Sequence, residues 1–217
     1  FRPGAAVLVG ILVISITLFD LWTVSRVVGY VTILQDSILN RIPRSQVRQI
    51  LKEYPQPVRL FSRGPNLPTL LGVASTPEYL GIGPAEYYSS ETRMPLPLPY
   101  DESPTPEQIN WLKRAGVTHI LSYTPLQPQQ WPVKYLWSGG DLFLNSAWGR
   151  REPLFLYEFQ GGRQRLSWEH PGPKDTASIQ KYLANEVHTE VDSVSGGTLI
   201  LADLHYPGWN VSIDGKP

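Results

Sequence analysis

Gly196-Gly197-Thr198-Leu199-Ile200-Leu201-Ala202-Asp203-Leu204-His205-Tyr206-Pro207-Gly208-Trp209-Asn210-Val211-Ser212-Ile213-Asp214-Gly215 is the stretch on which the reading of this chain turns. Thr198 to Ala202 is a short apolar run bounded by turn residues, the pattern of a buried strand. Tyr206-Pro207-Gly208-Trp209 punctuates it, and a second strand is expected from Trp209 to Ile213. Asp214-Gly215 signals a two-residue hairpin, because a type I′ turn wants positive φ at both central positions and Asp and Gly tolerate it. A third strand should follow. Since the sequence stops at Pro217 and does not open on Met, an excerpt of a longer protein is expected. Within the hairpin, Tyr206 and Trp209 are expected to pack across the strands, Pro207-Gly208 to make the bend and Asp203 to satisfy backbone donors.

Upstream of this stretch, Glu186 to Val194 alternates with period two. Val187, Thr189, Val191 and Ser193 take one face, and Glu186, His188, Glu190 and Asp192 take a wet one. Gly196-Gly197 is read as the turn that folds this strand back on Thr198 to Ala202, giving an antiparallel β-sandwich over 161–217. Before a boundary near Gly161 the pattern changes to layered α/β, over 45–160. Thr105 caps, Pro106 and Glu107 suit a first helical turn, Gly116 ends the helix near Ala115, and Val117 to Tyr123 is a buried strand. Ser45 is placed to cap another helix as far as about Tyr54, which Pro55 and Pro57 close, with Val58 to Ser62 as the first strand. Leu154 to Phe159 is the best strand of the turn-rich segment after Trp131. The proline-rich segment from Arg63 to Pro106, with Tyr79, Tyr87, Tyr88 and Tyr100, reads as a long surface loop.

The amino terminus is the apolar part of the chain. Ala5 to Phe19 carries no charge, and with Asp20 to Val24 it approaches the twenty or so residues a bilayer requires, Trp22 standing as an interfacial aromatic. A transmembrane helix over 1–24 and a connector over 25–44 are therefore expected. The flanking charges, Arg2 against Arg26, Arg41 and Arg44, orient it weakly.

Among 217 residues, 19 basic and 19 acidic groups cancel, so no nucleic-acid partner is indicated. Cysteine is absent, which removes disulfides and thiolate metal sites. His119, His170, His188 and His205 are too scattered for a ligand set, so no metal is expected. Asp203 and His205 lack a nucleophile elbow to serve, and no phosphate-binding loop or dinucleotide fingerprint occurs, so no cofactor is expected. Asp20, at the end of the apolar run, reads as interfacial rather than catalytic. The aromatic residues suit either core packing or stacking on sugar rings, with Tyr79, Tyr87, Tyr88 and Tyr100 first in line for the latter.

A strand ending in an acidic residue, then Tyr206-Pro207-Gly208-Trp209, a short strand and Asp214-Gly215-Lys216, resembles the extracytoplasmic tail of the YfhO-like family of bacterial polytopic membrane proteins. The Asp20-Leu21-Trp22 exit from the apolar helix agrees more loosely. That family is similar to the C-type glycosyltransferases, which take sugars from polyprenyl-phosphate carriers and keep their catalytic acid in an early outer loop that has no counterpart here. The resemblance implies a place outside the bacterial cytoplasmic membrane, with the lipid bilayer and a lipid-linked sugar or envelope glycopolymer as partners. It also implies a role in shaping the acceptor site without catalytic residues. The alternative is a non-enzymatic envelope scaffold.

Overall fold

A computed structural model describes the backbone of residues 3–27, 37–63, 66–76, 88–90, 92–96, 98–100, 103–149, 151–183, 185–203 and 208–216, with side chains in the first helix from residue 10 to 24. The chain divides into two compact units, Phe1–Asn40 and Arg41–Pro217.

The first unit contains α1, Pro3–Val27. The expected membrane span is corrected here: among the described residues no helix is long and apolar enough to cross a membrane. The uncharged run from Ala5 to Phe19 covers only about 22 Å of helix against roughly 30 Å of hydrocarbon. Asp20 and Arg26 then fall inside the helix rather than beyond it.

Among its described residues the second unit is mixed α/β with three sheets. Five strands form the largest: β1 (Arg59–Ser62), β2 (Ala74–Thr76), β3 (His119–Ser122), β4 (Val133–Gly139) and β5 (Leu154–Phe159), in the order β2-β1-β3-β5-β4. β1 runs parallel to both β2 and β3, and β5 is antiparallel to β3 and β4. Register partners share a face, so Phe61, Ile120 and Tyr157 stand together, as do Leu60, His119 and Glu158. The first face is covered by α3 (Pro106–Arg114), packing Leu112 and Val117 with Met94, Leu126 and Trp131. On the second, Tyr54, just past α2 (Gln46–Lys52), meets the His119 ring edge-on at 4.5 Å.

Local chemistry fixes both helices. Thr105 and Gln108 form a reciprocal capping box, with bonds of 3.2 and 2.8 Å. At the other end Gly116 takes φ 64°, Val117 donates to Leu112 O, and Gly116 to Lys113 O, which closes α3 in a Schellman motif. A side chain at Gly116 would also meet Arg163 O at 3.2 Å and Ala202 Cβ at 3.4 Å. The start of α2 is held by Asp141, which is 1% exposed. One of its oxygens accepts from Ser45 Oγ at 2.7 Å and Val47 N at 3.1 Å; the other accepts from Phe143 N at 3.0 Å and Leu144 N at 2.8 Å. One buried carboxylate thus binds the starts of α2 and α4 (Leu144–Ala147) together.

The expected β-sandwich is also corrected. β6 (Leu166–Trp168) pairs with β9 (Leu199–Leu201), and β7 (Thr176–Leu183) with β8 (Glu186–Asp192), as two separate two-stranded sheets. β8 does not fold back on β9. β7 is its neighbour, and Gly196 and Gly197, at φ 67° and 152°, carry the chain on into β9, which pairs with β6 instead. Sheets this narrow leave apolar side chains outside: Leu183 is 47% exposed and Val191 42%.

Candidate functional site

Open α/β sheets bind ligands beyond the carboxyl ends of their parallel strands. Here β1 and β3 end on Ser62-Arg63 and on Ser122-Tyr123-Thr124, and their loops gather aromatic groups. The Arg63 guanidinium lies 5.2 Å from the Tyr100 ring centre and 5.4 Å from that of Tyr123. Tyr100 stacks on Phe61 at 5.2 Å, and Tyr123 meets Trp148 edge-on at 5.2 Å.

Between the loop after β3 and the segment leading into α3 opens a cavity of about 370 Å³, lined by Ser103, Thr124, Pro125, Leu126, Gln127, Gln130 and Trp131. The Leu126 N–H donates to Tyr157 Oη at 3.0 Å, tying the loop to β5, and burial pushes the Tyr157 hydroxyl above its ordinary range. Gln127 O accepts from the backbone N–H of Gln130 and Trp131, which folds the lining into a turn. Trp131, 2% exposed, is the packed floor, whereas Ser103, Thr124, Gln127 and Gln130 are exposed. Hydroxyls and carboxamides face the cavity, and none of its lining residues titrates near neutral pH.

Of the tyrosines expected to bind sugar, Tyr100 belongs to this edge, Tyr88 is 48% exposed, and Tyr79 and Tyr87 lie outside the described residues. The Asp214-Gly215 turn forms as expected. Their φ angles are 51° and 74°, and Ile213 and Lys216 exchange backbone bonds of 2.8 and 2.9 Å. Gly208 takes φ 99°, while Tyr206, Pro207 and His205 lie outside the described residues. Trp209 departs from its expected burial, at 38% exposed. Among the described residues no group of His, Cys, Asp and Glu could hold a metal ion. His119 is buried on β3, with Nδ1 beside Thr118 Oγ1 at 2.9 Å and Nε2 without a hydrogen-bond partner. That burial lowers its pKa to about 4, against a smaller opposing pull from Glu158.

Asp203 has a role that sequence reading missed. Its Oδ1 accepts from Arg59 Nη2 and Arg165 Nη2, each at 2.7 Å, and its Oδ2 from Tyr182 Oη at 2.5 Å. Both guanidinium groups also donate to Ala202 O, at 3.0 and 2.7 Å. The node joins β1 of the large sheet to β7 and to the end of β9. Burial, and then the bond to Asp203, push the Tyr182 hydroxyl up to about 12. The available signal was an arginine at each strand entry, Arg59 before Leu60-Phe61 and Arg165 before Leu166, where an apolar residue would be ordinary.

No protein-family model, curated protein or solved structure matches this chain.

Proposed function

We propose that this chain is the extracytoplasmic part of a bacterial envelope protein resembling lipid-linked-sugar glycosyltransferases. It binds glycan and helps shape an acceptor site without supplying a catalytic group. The observation that carries this reading is the cavity beyond β3. Its exposed hydroxyl and carboxamide groups over a tryptophan floor suit the hydroxyls and apolar faces of a sugar. A lining with no titrating side chain fits binding better than proton transfer.

Calorimetric titration with neutral oligosaccharides tests it. Gln127→Ala and Gln130→Ala should each weaken binding about fivefold, the value of roughly 1 kcal/mol per hydrogen bond, with melting unchanged. Unaltered affinity in both variants would remove the cavity from the reading.

A protein-binding scaffold is favoured by a different observation: Val194, Val211 and Ile213 are 86%, 80% and 72% exposed. On that reading Val211→Ser and Ile213→Ser alter association measured by ultracentrifugation, and the glutamine variants do not.

A further inference from the structure

The helical layer on the His119 side of the large sheet carries a surface that glycan binding does not use. From Ser37 to Lys52 the chain holds four basic residues, Arg41, Arg44, Arg48 and Lys52, and no acidic one. Arg41 Nη1 donates to Ser146 Oγ of α4 at 2.5 Å, and Asp141 binds the starts of α2 and α4 to each other, so the two helices share one layer. Asp141 does not neutralise this surface, because it is buried and its oxygens are taken by four donors. Arg44 and Lys52 are exposed and Arg48 is half-buried, with one exposed carboxylate, Glu53, at the far end of α2. None of the ion pairs among the described residues involves Arg44, Arg48 or Lys52. Arg48 and Lys52 stand one turn apart on one side of α2. The outlying sheets lean the other way: Arg163 to Lys216 has seven acidic residues (Glu169, Asp175, Glu186, Glu190, Asp192, Asp203, Asp214) against five basic (Arg163, Arg165, Lys174, Lys181, Lys216).

We propose that this basic layer rests on an anionic lipid surface. Its cations are spread over the outside of a helical layer and do not converge on a cavity, an arrangement that suits an extended array of phosphates better than one bound anion. Stable lipid attachment takes two signals, a basic patch and an apolar one. The chain supplies the second in α1, where Ile11, Leu18, Phe19 and Trp22 are 57%, 61%, 66% and 51% exposed.

Flotation of the full chain with vesicles of phosphatidylcholine, alone or mixed with phosphatidylglycerol, tests the proposal. Binding should be tighter to the mixed vesicles, and the difference should shrink with added salt. The combined variant Arg44→Gln/Arg48→Gln/Lys52→Gln should lose about fivefold per cation, roughly a hundredfold in all, on mixed vesicles only. Arg44→Lys/Arg48→Lys should keep the preference. Should the combined variant fail to fold, Lys52→Gln alone, at an exposed position, should still lose about fivefold. Equal binding to both vesicles, a combined variant that floats like the parent, or capture of soluble polyphosphate with no vesicle binding would overturn it.

Discussion

β3 and β8 are held in opposite ways. β3 is four residues long and buried throughout, with a hydrogen-bonded strand on each side and packed layers on both faces. β8 is seven residues long, pairs among the described residues with β7 alone, and is exposed from His188 to Asp192. Strand length and alternation therefore say little about which strand anchors a fold; neighbours and cover decide it. The two bridging carboxylates differ likewise. Asp141 is closed off from water and ties helix starts within the large α/β layer, whereas Asp203, with its side chain 23% exposed, holds the outlying sheets by charge.

The contrast can be broken at graded points. Leu121→Ala, a cavity in the centre of the large sheet, should cost about 4 kcal/mol in denaturant unfolding and lower every probe together. Asp141→Ala should cost about 3 kcal/mol, since several donors lose a charged acceptor at once; a cost below about 1 kcal/mol would show that the two helix starts hold without it. Acid should act next, through His119. The unfolded histidine takes up its proton near pH 6.5 and the buried one only near pH 4. Its contribution is therefore full above pH 6.5 and is lost as the pH falls from there towards 4, about 3 kcal/mol in total. Unfolding curves at several pH values should show that slope in the parent and not in His119→Gln. Asp203→Asn should cost about 2 kcal/mol and speed amide exchange in β6 to β9 while leaving β3 and β5 protected. Trp209→Ala should cost about 1.5 kcal/mol, because the residue is already 38% exposed. A loss as large as that for Leu121 would put Trp209 in a core.

The sequence made legible what neighbours in the chain decide. The capped start of α3, its glycine stop, the limits of β5 and the Asp214-Gly215 turn each depend on residues a few positions apart. Pairing across longer distances was not legible. Alternation in β8 marks a strand but carries nothing about its partner, and β7, reading Thr-Ala-Ser-Ile-Gln-Lys-Tyr-Leu, is too polar to signal itself by an apolar run. The length of apolar helix at the amino terminus was overestimated by counting through Asp20. Of the site, Tyr100 was among the expected residues. The cavity residues Thr124, Gln127 and Gln130 were not, because polar residues in a loop look alike until the strand ends place them.

The glycan reading and the contrast between the two regions meet in one measurement, a nuclear magnetic resonance titration of the labelled chain with a neutral oligosaccharide. Shifts are expected at residues 98–100, 103 and 122–131, where the large sheet holds its loops, and none at β7, β8 or residues 208–216. Shifts confined to the outlying sheets, with the cavity loop silent, would contradict it.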